Sequence, residues 1–100
     1  MKTSFSELIN GETPVLIDFY ADWCAPCRMM APILEDVKKQ MGDKVKIVKI
    51  DTERNREISM QLGIRSIPTL MLFHKGKAVW RQAGVVPAQA IASAISQHAN

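Results

Sequence analysis

The run Val15-Leu16-Ile17-Asp18-Phe19-Tyr20 is apolar on both faces of an extended chain, with one carboxylate set into it. A strand with no polar face predicts a central place in a parallel sheet covered on both sides. From Cys24 the period changes. Met30, Ile33, Leu34, Val37 and Met41 recur at helical spacing, and Gly42 predicts the stop. Pro32 falls inside that helix, where it deletes the bond to the Arg28 carbonyl and predicts a bend. A helix beginning only at Pro32 is the alternative, and it leaves both cysteines in a loop. Val45 to Ile50 reads as a second strand, and strand–helix–strand implies a right-handed parallel crossover.

The flanking elements are shorter. Ser4 or Ser6 can cap a first helix that ends near Asn10-Gly11. Asp51-Thr52 can cap a helix through Ile58 and Leu62, stopped by Gly63. Thr69 to Phe73 and Ala78 to Ala83 flank His74-Lys75-Gly76-Lys77, which predicts a hairpin. Pro87 opens a last helix with a stripe at Ala88, Ile91, Ala92, Ile95 and Ala99. The expected fold is α/β, a mixed sheet with helices on both faces. At 100 residues, 1–100 reads as one domain able to bury a core without staples.

Composition narrows the functional classes. The chain is 47% hydrophobic and 23% charged, ordinary for a globular protein, and its net charge of +3 is mild. Lys38, Lys39, Lys44, Lys46 and Lys49 form one basic neighbourhood. Lysines alternating with apolar residues make a solvated face more readily than a phosphate tract, so no nucleic-acid partner is expected. No stretch is long enough to span a membrane, and Met1 to Glu7 has no apolar run behind its lysine, so no signal peptide is visible. Two cysteines in one tight pair cannot build a secreted disulfide framework. A reducing cytoplasm is the expected compartment, although a trimmed exported form would read the same.

That pair carries the chemistry. Trp23-Cys24-Ala25-Pro26-Cys27 stands where the first strand runs into the long helix. Positions i and i+3 share a helix face with Cβ atoms roughly 5–6 Å apart. A disulfide accepts Cα separations of about 4.4–6.8 Å, so the ring can open and close without large backbone movement. Buried packing cysteines are the plain alternative. A zinc site needs two more ligands, and His74 and His98 lie far off at no ligand spacing. An iron–sulfur cluster shared across a dimer is a further alternative.

The chain resembles the thioredoxin family. The matching stretches are Ile17 to Arg28, then Ala31-Pro32, then Gly63-Ile64-Arg65-Ser66-Ile67-Pro68-Thr69, then Gly76 and Gly84, in family order over about residues 13–98. Three positions depart: Ala25 replaces the usual glycine between the cysteines, Tyr20 stands where tryptophan is common, and Ser66 takes a frequent glycine position. The chain begins too late to supply the family's first strand. Four strands are therefore expected, with Val45 to Ile50 exposed as an edge.

The resemblance implies a protein disulfide reductase that binds no cofactor and takes electrons from a separate reductase. Cys24 at the helix N-terminus would be the nucleophile, because free N–H groups and the helix dipole favour an anionic sulfur there. Cys27, one turn deeper and more buried, would resolve the mixed disulfide. Asp18, raised in pKa by burial, would accept the Cys27 proton, with Lys49 near it on the next strand. In the plain reading Asp18 and Lys49 form a structural ion pair or point at solvent.

Pro68 would be cis and face the cysteines, although only about 5–6% of X–Pro bonds in folded proteins are cis. It leaves the Ile67 backbone free to bond an extended target. Trp23, Ala25, Pro26, Ile67, Ala83 and Gly84 would form an apolar platform around Cys24 for protein targets. Trp23 could instead be core. Trp80 has no family counterpart and reads as packing on the sheet, while Met29, Met30, Met60 and Met71 read as core or rim.

Two rivals stand beside the reductase: an envelope oxidase or isomerase on the same fold, and a non-catalytic binding subunit. Replacing glycine with Ala25 changes helix propensity by up to ~1 kcal/mol, or ~20 mV for a two-electron couple. That shift is too small to invert the role. The expected partners are disulfide-containing proteins and a thioredoxin reductase-like donor, with the chain itself a monomer.

Overall fold

The computed structural model describes residues 4–99; residues 1–3, part of the stretch read for a targeting signal, lie outside them, as does Asn100. In chain order the elements are α1 (Phe5–Ile9), β1 (Val15–Tyr20), α2 (Ala25–Met41), a 3-10 turn (Gly42–Lys44), β2 (Lys46–Asp51), α3 (Arg56–Gln61), β3 (Thr69–His74), β4 (Lys77–Ala83) and α4 (Ala88–His98). The sheet order is β2-β1-β3-β4. β1 runs parallel to β2 and antiparallel to β3, and β3 is antiparallel to β4. The expected mixed sheet of four strands is the observed one, with β2 at an edge.

Side chains alternate across the sheet with the two-residue period of a strand. Leu16, Leu70 and Leu72 pack with Met30, Leu34 and Val37 of α2 and Ile91 and Ile95 of α4. On the opposite face Val15, Ile17, Phe19, Met71 and Phe73 pack with Ile9, Phe5 and Leu8 of α1 and with Leu62 and Ile64 beyond α3. Phe5 meets Phe73 edge-on, centroids 5.4 Å apart. Asp18 shares its parity with Leu16, so it faces the side covered by α2. That parity decides what the carboxylate can do.

α2 runs unbroken through Pro32, from Ala25 to Met41, and stops at Gly42 as the pattern predicts, so the alternative start at Pro32 is not the observed one. Other boundaries move from their predicted places. β2 begins at Lys46 and keeps Asp51 in register with Tyr20, one residue later than the pattern suggests. Asp51 therefore does not cap a helix. Its Oδ1 accepts the N–H groups of Glu53 and Arg54, closing a turn straight off the strand, and α3 starts only after Asn55. The hairpin is also tighter than the predicted four residues. Lys75 and Gly76 both take positive φ, 54° and 85°, which suits a two-residue turn between twisted strands. Trp80 is half-buried against the α2/α4 core, and of the methionines Met30 and Met71 are core while Met29 and Met60 are exposed.

Candidate active site

Leaving the sheet at Tyr20, the chain buries Ala21 and turns so that the Cys24 N–H donates to the Ala21 carbonyl, 3.2 Å. Cys24 then takes the N-cap position of α2 in an extended conformation, and its Sγ accepts the Cys27 N–H at 3.2 Å. Cysteine is doing here what serine or aspartate does at other helix starts, offering an acceptor to free backbone donors. Pro26 sits in the first turn, where its missing N–H leaves nothing unpaired. Cys24 and Cys27 are joined as a disulfide with Cα atoms 5.3 Å apart, inside the range such a bond accepts.

One expectation is overturned. Cys27 is not the more buried residue: both cysteines are buried alike, with residue exposure 3% for Cys24 and 5% for Cys27. The N-cap residue is tucked against the segment before β3, and Ala21, Tyr20 and Ile67 pack around the pair. Cys24 Sγ lies 3.8 Å from the Ile67 carbonyl oxygen. A disulfide sulfur carries no proton, so this is a contact and not a hydrogen bond. What separates the two residues is the helix terminus at Cys24, not their burial.

The Ile67–Pro68 bond is cis, as the resemblance implies. Gly84 donates its N–H to the Pro68 carbonyl at 2.8 Å, and Ala83 pairs with Thr69, so the end of β4 is held beside this turn. Gly84 has φ +89°, a conformation that side chains rarely adopt. Trp23, Ala25, Pro26, Ala83 and Gly84 are exposed, Ile67 is half-buried and Pro68 is buried. Trp23 is not core: it is 66% exposed, and its indole N–H donates to Glu53 Oε1 at 2.7 Å. Nothing in the sequence marked Glu53, which lies thirty positions from its partner.

Asp18 is 1% exposed and neither carboxyl oxygen has a hydrogen-bond partner. Burial pushes its pKa up to about 6, with the Lys49 charge holding it down in part. Lys49 is the Cα partner of Asp18 across β1 and β2, but its Nζ lies over the Tyr20 ring, 4.6 Å from the centroid. A simple structural ion pair is therefore not what forms. A cavity of about 120 Å³ is lined by Tyr20, Ala21, Asp22, Cys27, Arg28 and Lys49, and the Asp18 carboxylate is not part of that lining. Among the described residues no group of histidine, cysteine or carboxylate side chains could hold a metal ion.

A dithiol–disulfide pair closing at a helix N-terminus, on a helix-covered mixed sheet and against a cis-proline turn, defines a disulfide oxidoreductase. The family model described as Thioredoxin matches residues 1–97, and the chain belongs to the thioredoxin family. It is 45% identical to Thioredoxin 1 of Synechococcus elongatus over 92% of this chain and 86% of that one. Identity to the thioredoxin of Haemophilus influenzae is 43%, over 93% and 87% of the two chains. Among solved structures, a mutant thioredoxin from Halobacterium salinarum superposes with a TM-score of 0.87 at 32% identity, covering 100% of this chain and 87% of the other. The chain is accordingly a protein-disulfide reductase of thioredoxin type.

Proposed function

We propose that Cys24 is the attacking sulfur and Cys27 the resolving one. The observation carrying this assignment is the Cys24 Sγ at the N-cap of α2, accepting the Cys27 N–H. A thiolate at that place gains from the same donor and from the helix dipole. It attacks one sulfur of a target disulfide, and the other target sulfur leaves as a thiolate. Cys27 then gives up its proton and attacks Cys24; the Cys24–Cys27 bond forms and the target leaves with both sulfurs reduced. Two electrons pass to the target, and the chain ends as the disulfide.

Asp18 is the proton acceptor in this reading. With a pKa of about 6 it is mostly ionised at neutral pH yet basic enough to take a proton. The cavity touching Cys27 and Lys49 is large enough to hold water at the Cys27 end of the path, since each water occupies about 30 Å³ of liquid. Lys49 tunes that carboxylate. The exposed surfaces of Trp23, Ala25, Pro26, Ala83 and Gly84, with the Ile67 backbone, receive the extended target chain.

Residues 1–100 work as one domain, a cytoplasmic monomer with no bound cofactor, re-reduced by a separate thioredoxin reductase-like protein. No helix among the described residues is long and apolar enough to cross a membrane. Reduction of insulin disulfides with a dithiol donor tests the assignment. Turnover disappears in Cys24→Ser, whereas Cys27→Ser traps targets covalently on Cys24. Turnover surviving in Cys24→Ser overturns the roles.

A further inference from the structure

We propose that the outer edge of β2 is a docking site for an extended, acidic segment of a partner protein, which joins the sheet as an added strand. Among the described residues β2 has a strand neighbour on one side only. The N–H groups of Lys46 and Thr52 donate to the Pro14 and Tyr20 carbonyls, both at 2.8 Å. In a parallel ladder alternate residues bond the same neighbour, so Ile47, Lys49 and Asp51 turn their backbone groups outward. The open run is bounded at both ends. Lys38 Nζ covers the Val45 carbonyl at 2.9 Å, and the Asp51 carbonyl accepts the Asn55 N–H at 3.0 Å. Between them lies a free template about one short strand long.

Beside this edge a groove of about 450 Å³ runs between α2 and β2. Its floor is apolar, from Ala31, Leu34 and Ile47, so alternate side chains of an added strand have somewhere to go. Its rim is basic. Lys38, Lys46 and Lys49 line it against the single carboxylate of Glu35, and Lys44 is exposed just before the strand. Asp51 does not offset this charge, because its carboxylate is taken by two backbone N–H groups and Arg54.

Lysines on an edge strand guard against indiscriminate pairing. They do so selectively. A second copy would bring the same row of lysines against this one, and like charges facing each other destabilise a strand pair. Lys38 and Lys49 already have local contacts, with the Val45 carbonyl and the Tyr20 ring. Among the described residues, however, no carboxylate answers their charge or that of Lys46, and an acidic strand supplies one where an apolar strand does not. The other edge, β4, carries a register irregularity opposite Leu72 and Phe73, a device that spoils templates.

The full chain, kept oxidised so that both cysteines are held in their disulfide and thiol exchange cannot contribute, is titrated with three synthetic heptapeptides at low salt and followed by amide NMR and hydrogen exchange. One alternates glutamate with valine, one alternates lysine with valine, and one is the acidic peptide with alternate amides N-methylated. Protection of the Ile47, Lys49 and Asp51 amides by the acidic peptide alone, weakening as salt rises, is the expected result. Lys46→Glu should weaken that binding roughly tenfold. Equal binding of the lysine peptide, undiminished binding of the N-methylated one, or no edge protection at millimolar acidic peptide each overturns the proposal. So does peptide-free protection that grows with protein concentration, which assigns the edge to a second copy.

Discussion

Lys49 stands directly opposite Asp18 across the parallel strands, yet its ammonium rests on the Tyr20 ring and leaves both carboxylate oxygens without a hydrogen bond. A carboxylate held this way is destabilised when charged, and the nearby cation compensates only in part. The arrangement gives up stability at neutral pH and keeps a base with a pKa of about 6 beside the cysteine helix.

The stability cost is testable through its sign. Asp18 titrates near 3.8 in the unfolded chain and near 6 when folded. Below about pH 4 both states are protonated and the group costs nothing; between pH 4 and 6 stability falls, and above that the penalty is constant. A shift of about two units corresponds to ~3 kcal/mol at most. Asp18→Asn should therefore gain up to that amount at pH 8 relative to its effect at pH 3.5, read by denaturant unfolding of the oxidised protein. A pH-independent difference would contradict the buried-charge account. The same variant should lose the rise in turnover centred near pH 6.

Lys49→Met keeps the apolar stem and removes the charge. The Asp18 midpoint should then move above its present value of about 6, since only the burial contribution remains. Carbon-detected NMR of the carboxyl group follows it directly. A midpoint that stays or falls removes Lys49 from the site.

Gly84 and Gly76 both hold positive φ, but their surroundings differ. A methyl group at Gly84 meets nothing within 4 Å, so Gly84→Ala should cost only the backbone strain, about 1–2 kcal/mol. At Gly76 it would stand 2.9 Å from Asn10 Oδ1. Gly76→Ala should cost more, and the excess should vanish in an Asn10→Ala background. Unfolding midpoints of the four variants decide this.

Trp23→Phe deletes the bond to Glu53 from an exposed ring. Unfolding free energy should change by less than ~1 kcal/mol, because an exposed charged contact contributes little. The KM for protein targets should rise with kcat nearly unchanged. A large stability loss would mean that the indole is a structural brace and not a target-facing surface.

The strand pattern at Val15 to Tyr20, the helical stripe from Met30 to Met41, the turn glycines and the spacing of Cys24 and Cys27 were all determined locally. Periodicity and backbone preference act between near neighbours, so the order of residues carries them unaided. Only the folded chain decided the rest. Asp51 was kept in the ladder by pairing with Tyr20, which no cap signal reveals. Both cysteines were buried alike because Ile67 arrives from forty-three positions away, and the Trp23–Glu53 bond crosses thirty. Burial and charge placement are properties of what surrounds a residue in space, and that company is assembled from segments whose separation along the chain says nothing of their distance.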